Sequence, residues 1–136
     1  MEQITLPRII TNAFVRQHPQ WVFLHGHDVQ LKGCFGQASI YNLPNTIGIP
    51  VMYKFCASGA RYFTDGDSSC KDYVDKAFNN ILDPANTIII PLRKMGEGCS
   101  RLKELAPRLH AYLYQRLDAI KYPNIKWDYN SNGYVS

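Results

Sequence analysis

The chain has 136 residues, of which 46% are hydrophobic and 19% are charged, and its net charge is +4. These proportions are ordinary for a globular domain and exclude a disordered chain. No apolar run approaches the roughly 18–20 residues that a membrane-spanning helix needs. The N-terminal segment also lacks the basic and apolar regions of a secretory signal. We therefore expect one domain over residues 1–136, located in the cytoplasm and without membrane association.

The four cysteines (Cys34, Cys56, Cys70 and Cys99) lie far apart and form no Cys-x-x-Cys pair. Together with the missing secretory signal, this spacing favours reduced thiols over a disulfide framework. It also argues against a structural zinc site. We expect no bound metal and no cofactor, and the composition leaves the oligomeric state open.

Basic residues are concentrated in the last third of the chain. The stretch from Arg93 to Lys126 contains eight basic residues and three acidic ones. Such a surface would attract the phosphates of a nucleotide, a nucleic acid or an acidic protein. A solvated helix face has the same composition. Because no recognised RNA- or DNA-binding motif accompanies the charge, we do not expect a nucleic-acid partner.

Hydrophobic periodicity and turn residues divide the chain into alternating helices and strands. The predicted elements, in chain order, are a helix over about 7–18, a strand over 21–24, a helix start over 38–43, a strand over 47–51, a helix over about 67–81, a strand over 87–90, a helix over about 101–120 and a strand near 125–127. Thr5 is the expected cap of the first helix, and Pro50 indicates a sheet edge or a strand end. Pro107 either divides the last helix or starts it. Residues 121–136 form an aromatic and polar tail.

This alternation predicts an α/β fold with three layers, in which a mainly parallel or mixed sheet has helices on both faces. Ligands in such folds bind at the carboxyl ends of the strands. Two glycine-bearing loops follow predicted strands, the first over 25–37 and the second over 96–98. We expect the two loops to face one shared site.

The first loop is polar, and Gly33 and Gly36 allow its backbone to turn and to approach a ligand closely. A helix start after each loop would direct backbone N–H groups at a phosphate. Arg93 and Lys94 precede the second loop and are the expected phosphate partners. Neither loop matches G-x-x-x-x-G-K-[ST] or G-x-G-x-x-G, so NTPases and dinucleotide oxidoreductases are disfavoured. The predicted ligand-binding residues are Gly26, His27, Asp28, Gly33, Cys34, Phe35, Gly36, Gln37, Arg93, Lys94, Gly96, Glu97 and Gly98.

The polar residues at the start of the first loop have several interpretations. His25, His27 and Asp28 have the side chains of a metal site, but a further ligand is not evident nearby, so hydrogen bonding is favoured. Asp28 and His27 are the weak candidates for catalysis. Asp28 is alternatively an acceptor for a ribose hydroxyl or an adenine amino group, or the cap of a turn.

Three residues between the predicted strand over 47–51 and the predicted helix over about 67–81 also have two interpretations each. Tyr62 or Phe63 would stack on a nucleotide base, and we expect one of them in the core instead. Asp65 has the chemistry of a general base, but we favour a capping role for it.

A series of short motifs links the chain to a known group. The motifs are, in order, Trp21-Val-Phe-Leu-His-Gly-His-Asp, Lys32-Gly-Cys-Phe-Gly-Gln-Ala, Asn45-Thr-Ile-Gly-Ile-Pro, Tyr62-Phe-Thr-Asp and Ile90-Pro-Leu-Arg-Lys-Met-Gly-Glu-Gly-Cys-Ser-Arg-Leu. Over residues 21–117 or so, the chain resembles a poorly characterised group of small phage-type proteins. That group is similar to macro domains, which bind ADP-ribose and related nucleotides.

The resemblance implies a macro-domain-like fold in which the first loop wraps the distal ribose and diphosphate and the second loop grips the phosphates. It also implies a phage protein that acts in the host cytoplasm against nucleotide-based defence. The chain departs from the group at His27 and Asp28, where the group usually has an acidic residue followed by asparagine. The asparagine that orients the ribose in catalytic macro domains is therefore missing, which favours binding without turnover.

Three functions remain open from the sequence. The first is binding of an ADP-ribose-type or related signalling nucleotide, linear or cyclic. The second is hydrolysis of an ADP-ribosyl or phosphoester bond through Asp28 or His27. The third is non-enzymatic inhibition of a host protein through the basic C-terminal third, which includes Arg108, Arg116 and Lys121.

Overall fold

The computed structural model describes residues 10–30, 40, 43–54, 59–81, 87–91, 95–96, 100–121, 123–127 and 134–135. Its elements, in chain order, are β1 Ile10–Thr11, α1 Asn12–Gln17, β2 Trp21–Asp28, β3 Thr46–Lys54, β4 Arg61–Tyr62, α2 Ser68–Asn79, β5 Thr87–Pro91, α3 Leu102–Leu105, α4 Pro107–Asp118, β6 Asn124–Trp127 and β7 Tyr134–Val135. Within these ranges, no helix is long and apolar enough to cross a membrane.

Five strands form one mixed sheet in the order β4-β3-β2-β5-β6, and β1 pairs with β7 in a separate parallel ribbon. The strands β3, β2, β5 and β6 are parallel neighbours, whereas the short β4 runs antiparallel to β3 at the edge. The central strand is β2, which pairs with β3 on one side and with β5 on the other. The α/β fold with a mixed sheet, as predicted from the sequence, is confirmed.

Apolar clusters cover both faces of the sheet, because successive side chains of a strand point to opposite faces. Leu24 of β2 and Ile90 of β5 pack with buried residues of α2, α3 and α4 in the larger cluster. Trp21 and Phe23 of β2 join Val15 of α1 in a second, smaller cluster. Burial on both faces explains why β2 and β5 begin as nearly continuous apolar runs in the sequence.

Two aspartates determine where the longer helices begin. Asp67 caps α2, since its Oδ1 accepts a hydrogen bond from the N–H of Ser69 at 3.0 Å. The two carboxylate oxygens of Asp65 accept hydrogen bonds from the backbone N–H groups of Arg108 and Leu109, each at 3.0 Å. Asp65 is therefore a cap, as expected, but it caps the start of α4, more than 40 residues along the chain. This contact fixes α4 against the loop that follows β4.

The first helix begins later than the sequence predicts. It starts at Asn12 rather than near Pro7, and its cap is Thr11 rather than Thr5. The reason is that Ile10–Thr11 is extended and pairs with β7. The proposed cap and the residues before 10 lie outside the part of the chain that the structure describes.

The end of the chain follows the sequence prediction more closely. The predicted helix over 101–120 is divided into α3 and α4, and Pro107 is the first residue of α4. An N–H group at that position has no partner within the helix, so its absence from proline costs no hydrogen bond. Asn124–Trp127 forms β6, the strand expected near this position, and pairs with β5 at the edge of the sheet.

The strand β2 is longer than predicted, and this corrects the boundary of the first loop. It continues to Asp28, so residues 25–28 are strand residues rather than loop residues. Pairing with β3 from Phe23 to Asp28 holds them in the sheet. Their polar side chains concealed this extension, because apolar content was the signal for the strand.

Pro50 lies in the middle of β3, not at its end, and β3 is an inner strand that has β2 on one side and β4 on the other. The N–H of Phe23 donates to the carbonyl of Asn45 at 2.9 Å, so alternate residues from Asn45 onward bond to β2 and Pro50 faces the other side. On that side, β4 pairs only with Met52 and Lys54. The missing N–H of Pro50 therefore interrupts no ladder in the described sheet.

The remote cap of α4 predicts a stability change. Replacing Asp65 with Ala leaves two backbone N–H groups of α4 without their acceptor and should lower the free energy of unfolding by about 1–2 kcal/mol. Urea unfolding followed by circular dichroism measures the change. Asp72→Ala, an exposed position on α2, is the matched control and should change stability by no more than about 0.5 kcal/mol. Equal effects of the two substitutions would contradict the capping role.

Candidate functional site

The connections of the sheet leave two neighbouring strands in opposite directions. From β2 the chain goes to β3 on one side, and from β5 it goes to β6 on the other side. Since β2 and β5 are parallel and adjacent, their carboxyl ends lie at the same edge of the sheet. In open α/β sheets, a crevice for a ligand forms at such a switch in strand order. The carboxyl ends of β2 and β5 are therefore the candidate site.

At the carboxyl end of β2, an imidazole and a carboxylate are buried together. His27 Nδ1 lies 3.0 Å from Asp28 Oδ1, and each side chain is about 1% exposed. The pairing register with β3 shifts between these two residues. Such a shift can bring consecutive side chains of an extended strand to one place, because it redirects one of them. The predicted residues Gly26, His27 and Asp28 are all buried here.

His25 precedes this pair and is buried as a neutral imidazole. The pKa of His25 is lowered to about 4, mainly by burial; the hydrogen bond to the Gly26 carbonyl opposes this shift and the nearby His27 adds to it. The carbonyl only accepts, so His25 Nδ1, at 3.1 Å, carries the proton. The ring lies against Gly48 of β3, where a Cβ atom would be 3.1 Å from His25 Cε1. Gly48 thus provides the space that His25 occupies.

Metal binding was one interpretation of these side chains. In the described part of the chain, no group of three or more histidine, cysteine, aspartate or glutamate residues is arranged to hold a metal ion. The rings of His25 and His27 are edge to face, with centroids 5.7 Å apart. His25 forms a hydrogen bond with the Gly26 carbonyl, and His27 Nδ1 lies within hydrogen-bond distance of Asp28 Oδ1.

The glycine of the second loop that the structure describes packs against a helix. Gly96 has a φ of +79°, and a Cβ atom there would be 2.8 Å from Leu102 Cδ2. Its carbonyl accepts the N–H of Lys103 at 3.1 Å, and the preceding carbonyl of Met95 accepts the Tyr114 hydroxyl at 3.2 Å. The glycine is therefore required by its backbone conformation and by close approach to α3. Contact of Gly96 with a ligand stays a prediction.

Arg101 and Tyr62 meet at the same edge of the sheet, and sequence reasoning missed Arg101. The Arg101 guanidinium carbon lies 5.6 Å from the centre of the Tyr62 ring. Asp28 pairs with Met52 of β3, and Met52 pairs with Tyr62 of β4, so the three residues form one row across the sheet. Of the two residues expected to stack on a base or enter the core, Phe63 is fully buried and Tyr62 is partly exposed. No sequence signal marks Arg101, because its position depends on the fold.

Most residues of the two predicted loops lie outside the described part of the chain. They are Gly33, Cys34, Phe35, Gly36, Gln37, Arg93, Lys94, Glu97 and Gly98. The expectation that the two loops face one cavity therefore stays a prediction. What the structure does describe is the strand end from which each loop departs, together with Gly96.

The basic C-terminal third is not one uniformly free surface. Arg108 and Lys121 are exposed, but Arg116 joins α4 to α2. Its Nη1 lies 3.3 Å from Asp75 Oδ1, and its guanidinium lies 4.8 Å from the centre of the Phe78 ring. Charge reversal at Arg116 would therefore disturb helix packing as well as any partner surface.

Burial of His25 predicts a pH dependence of stability. The unfolded chain takes up a proton near the ordinary pKa of 6.5, whereas the folded protein resists protonation until about pH 4. Stability should therefore fall as the pH drops from 6.5 to 4, by up to about 3 kcal/mol from this group. Urea unfolding between pH 7 and pH 4 measures the loss.

The matched variants for this pH dependence are His25→Gln and His18→Gln. His25→Gln removes the titrating group, so its stability should fall less over this range than that of the wild type. His18→Gln makes the same chemical change at a partly exposed position and should keep the wild-type dependence, because His25 remains in place. The same loss in His25→Gln as in the wild type would refute the assignment.

Comparison with known proteins identifies a family but no characterised relative. Residues 6–116 match the model of a family of unknown function, DUF7831. No curated protein and no solved structure matches the chain. Because the family model covers most of the 136 residues, the chain belongs to the DUF7831 family.

Proposed function

We propose that this protein binds the phosphate groups of an ADP-ribose-type nucleotide at the carboxyl ends of β2 and β5. The observation that carries the proposal is the switch in strand order at this edge of the sheet. Two neighbouring central strands end there, and their connections leave in opposite directions. In open α/β sheets a ligand crevice forms at such a point, independently of any single residue.

The chemistry of the strand ends supports the same proposal. Asp28 brings a carboxylate to the end of β2, and a carboxylate is a suitable acceptor for the hydroxyl groups of a ribose. Arg93 and Lys94 come two and three residues after the end of β5 in the sequence and would supply positive charge for phosphates. The resemblance to phage-type proteins similar to macro domains points to the same ligand class. By that resemblance, the protein would remove a nucleotide signal of host defence in the cytoplasm.

A second candidate function is hydrolysis at the same site, and the contact between His27 and Asp28 favours it. A carboxylate beside an imidazole nitrogen fixes the orientation of the ring. Such a pair can accept a proton from an attacking water molecule. The missing ribose-orienting asparagine argues against this function, so binding without turnover is the primary proposal.

The binding proposal predicts stabilisation by phosphate-bearing nucleotides. ADP-ribose at 100 times its Kd should raise the free energy of unfolding by about 2.7 kcal/mol, because only the folded state binds it. A thermal-shift titration with ADP-ribose, ADP and pyrophosphate measures this effect. Ribose, which has no phosphate, is the control and should give no shift. If none of the three phosphate compounds raises the melting temperature, the proposal is wrong.

Amide hydrogen exchange with and without ADP-ribose tests the position of the site. Exchange should slow in segments 26–30 and 95–101, which lie at or follow the carboxyl ends of β2 and β5. A groove at the opposite end of the sheet, lined in part by Val22, Asn45, Ile81 and Ile88, is the internal control. Protection confined to that groove would place binding at the wrong end of the sheet and refute the proposed site.

The hydrolysis candidate predicts turnover that depends on Asp28. With ADP-ribosylated protein as substrate, Asp28→Ala should reduce the rate at least about a hundredfold, the size of a lost general-base contribution. Alanine removes the carboxylate without introducing the asparagine that orients the ribose in catalytic macro domains. Liquid chromatography of released ADP-ribose measures the rate, and Asp72→Ala on the exposed face of α2 is the control. The absence of product from the wild type would eliminate hydrolysis of this substrate and leave the binding proposal intact.

A further inference from the structure

Arg101 has a backbone conformation that is unfavourable for its residue type. Among the residues that the structure describes, it is the one non-glycine residue with a positive φ, 52°. A side chain with a Cβ atom is strained in this left-handed region, whereas glycine adopts it freely. Strained residues of this kind cluster at functional sites, where the side chain is needed in one place. The strain therefore suggests that the Arg101 side chain has a role beyond folding.

The Arg101 guanidinium is partly paired and partly open to solvent. Its Nε and Nη2 both donate to one oxygen of Glu104, Oε2, at 3.2 and 3.1 Å. The two side chains are 47% and 65% exposed, and an ion pair so exposed contributes little to stability. A phosphate group carries more charge and offers several oxygens to a planar guanidinium. Such an anion is therefore able to replace Glu104 as the partner of Arg101.

The position of Arg101 relates it to the proposed nucleotide site. Its guanidinium stacks on Tyr62, which belongs to the row that runs from Asp28 through Met52 across three adjacent strands. Strands are roughly 4.8 Å apart, so Tyr62 and Asp28 are roughly 10 Å apart along this row. That distance is within the reach of one nucleotide. A ligand whose ribose contacts Asp28 can therefore reach Arg101 with one phosphate group, while Arg93 and Lys94 follow β5 on the other side of β2.

We propose that Arg101, supported by Tyr62, binds a phosphate group of the ligand, which displaces Glu104 from the guanidinium. The inference rests on the proposed function and adds a specific phosphate contact to it. It explains why a strained position holds arginine rather than glycine. The backbone conformation places the side chain over Tyr62, and the positive charge binds the phosphate group. Glu104 is a counter-ion in the absence of that ligand.

The test compares binding and stability in the same variants. Isothermal titration calorimetry with pyrophosphate and with ADP-ribose should show at least about tenfold weaker binding for Arg101→Gly, the size of a lost charge-assisted contact. The melting temperature of this variant should stay the same or rise by a few degrees, because glycine relieves the strain. Glu104→Gln should bind both compounds several-fold more tightly, because it removes the competing charge.

Two further variants separate a local contact from general effects. Arg101→Lys keeps the charge and the strain but loses the planar fork, so its affinity should lie between those of the wild type and Arg101→Gly. Arg16→Ala removes one positive charge on α1, away from the row of Asp28 and Tyr62, and should bind like the wild type.

Different results would overturn the inference alone or together with the proposed function. Wild-type affinity in Arg101→Gly, or an equal loss in Arg16→Ala, would overturn the role of Arg101 and leave the nucleotide proposal standing. A large fall in melting temperature for both Arg101 variants would assign the residue a structural role and overturn the inference as well. If the wild type binds neither pyrophosphate nor ADP-ribose, both proposals are wrong.

Discussion

The rest of the structure depends on the pairing of β2 with two parallel strands, with β5 along its apolar start and with β3 from Phe23 to its polar end. The strand is buried over nearly its whole length, and His25, His27 and Asp28 are each at most 3% exposed. Burying such groups has a cost in free energy that only specific contacts offset. Apolar residues at the same positions would stabilise a central strand with no such cost. The polar end of β2 therefore points to a requirement beyond folding, and it coincides with the switch in strand order.

The parts of the fold that the sequence predicted are those with a local signal. Apolar runs at 21–24 and 87–90 identified β2 and β5, and helical periodicity identified α2 and α4. The prediction failed where distant contacts decide the conformation. Residues 25–28 are polar and resemble a loop, yet pairing with β3 keeps them in the sheet. Pro50 suggested a sheet edge, yet it lies in an inner strand. It fits there because β4 pairs only with Met52 and Lys54, so no partner strand in the described sheet needs the N–H that proline lacks.

The sequence was enough to propose a location for the candidate site but not all of its residues. Alternating strands and helices pointed to the carboxyl ends of β2 and β5, because that rule follows from topology alone. Arg101 has no such signal, since neither its positive φ nor its contact with Tyr62 can be read from the residue type. Gly96 is the converse case: its positive φ and its packing against Leu102 already require a glycine, and its contact with a ligand stays a prediction.

Stabilising contacts and energetically unfavourable features lie in different parts of this molecule. Favourable contacts join the helices on one face: Asp65 caps α4, and Asp75 binds Arg116 across α2 and α4. Unfavourable features lie towards the carboxyl edge of the sheet, where His25 loses its solvation and Arg101 adopts a strained φ. Proteins keep local conflicts of this kind mainly at functional sites and offset them elsewhere in the fold. Glycine would adopt the conformation of Arg101 without strain, so an arginine at this position supports the phosphate contact that we propose for it.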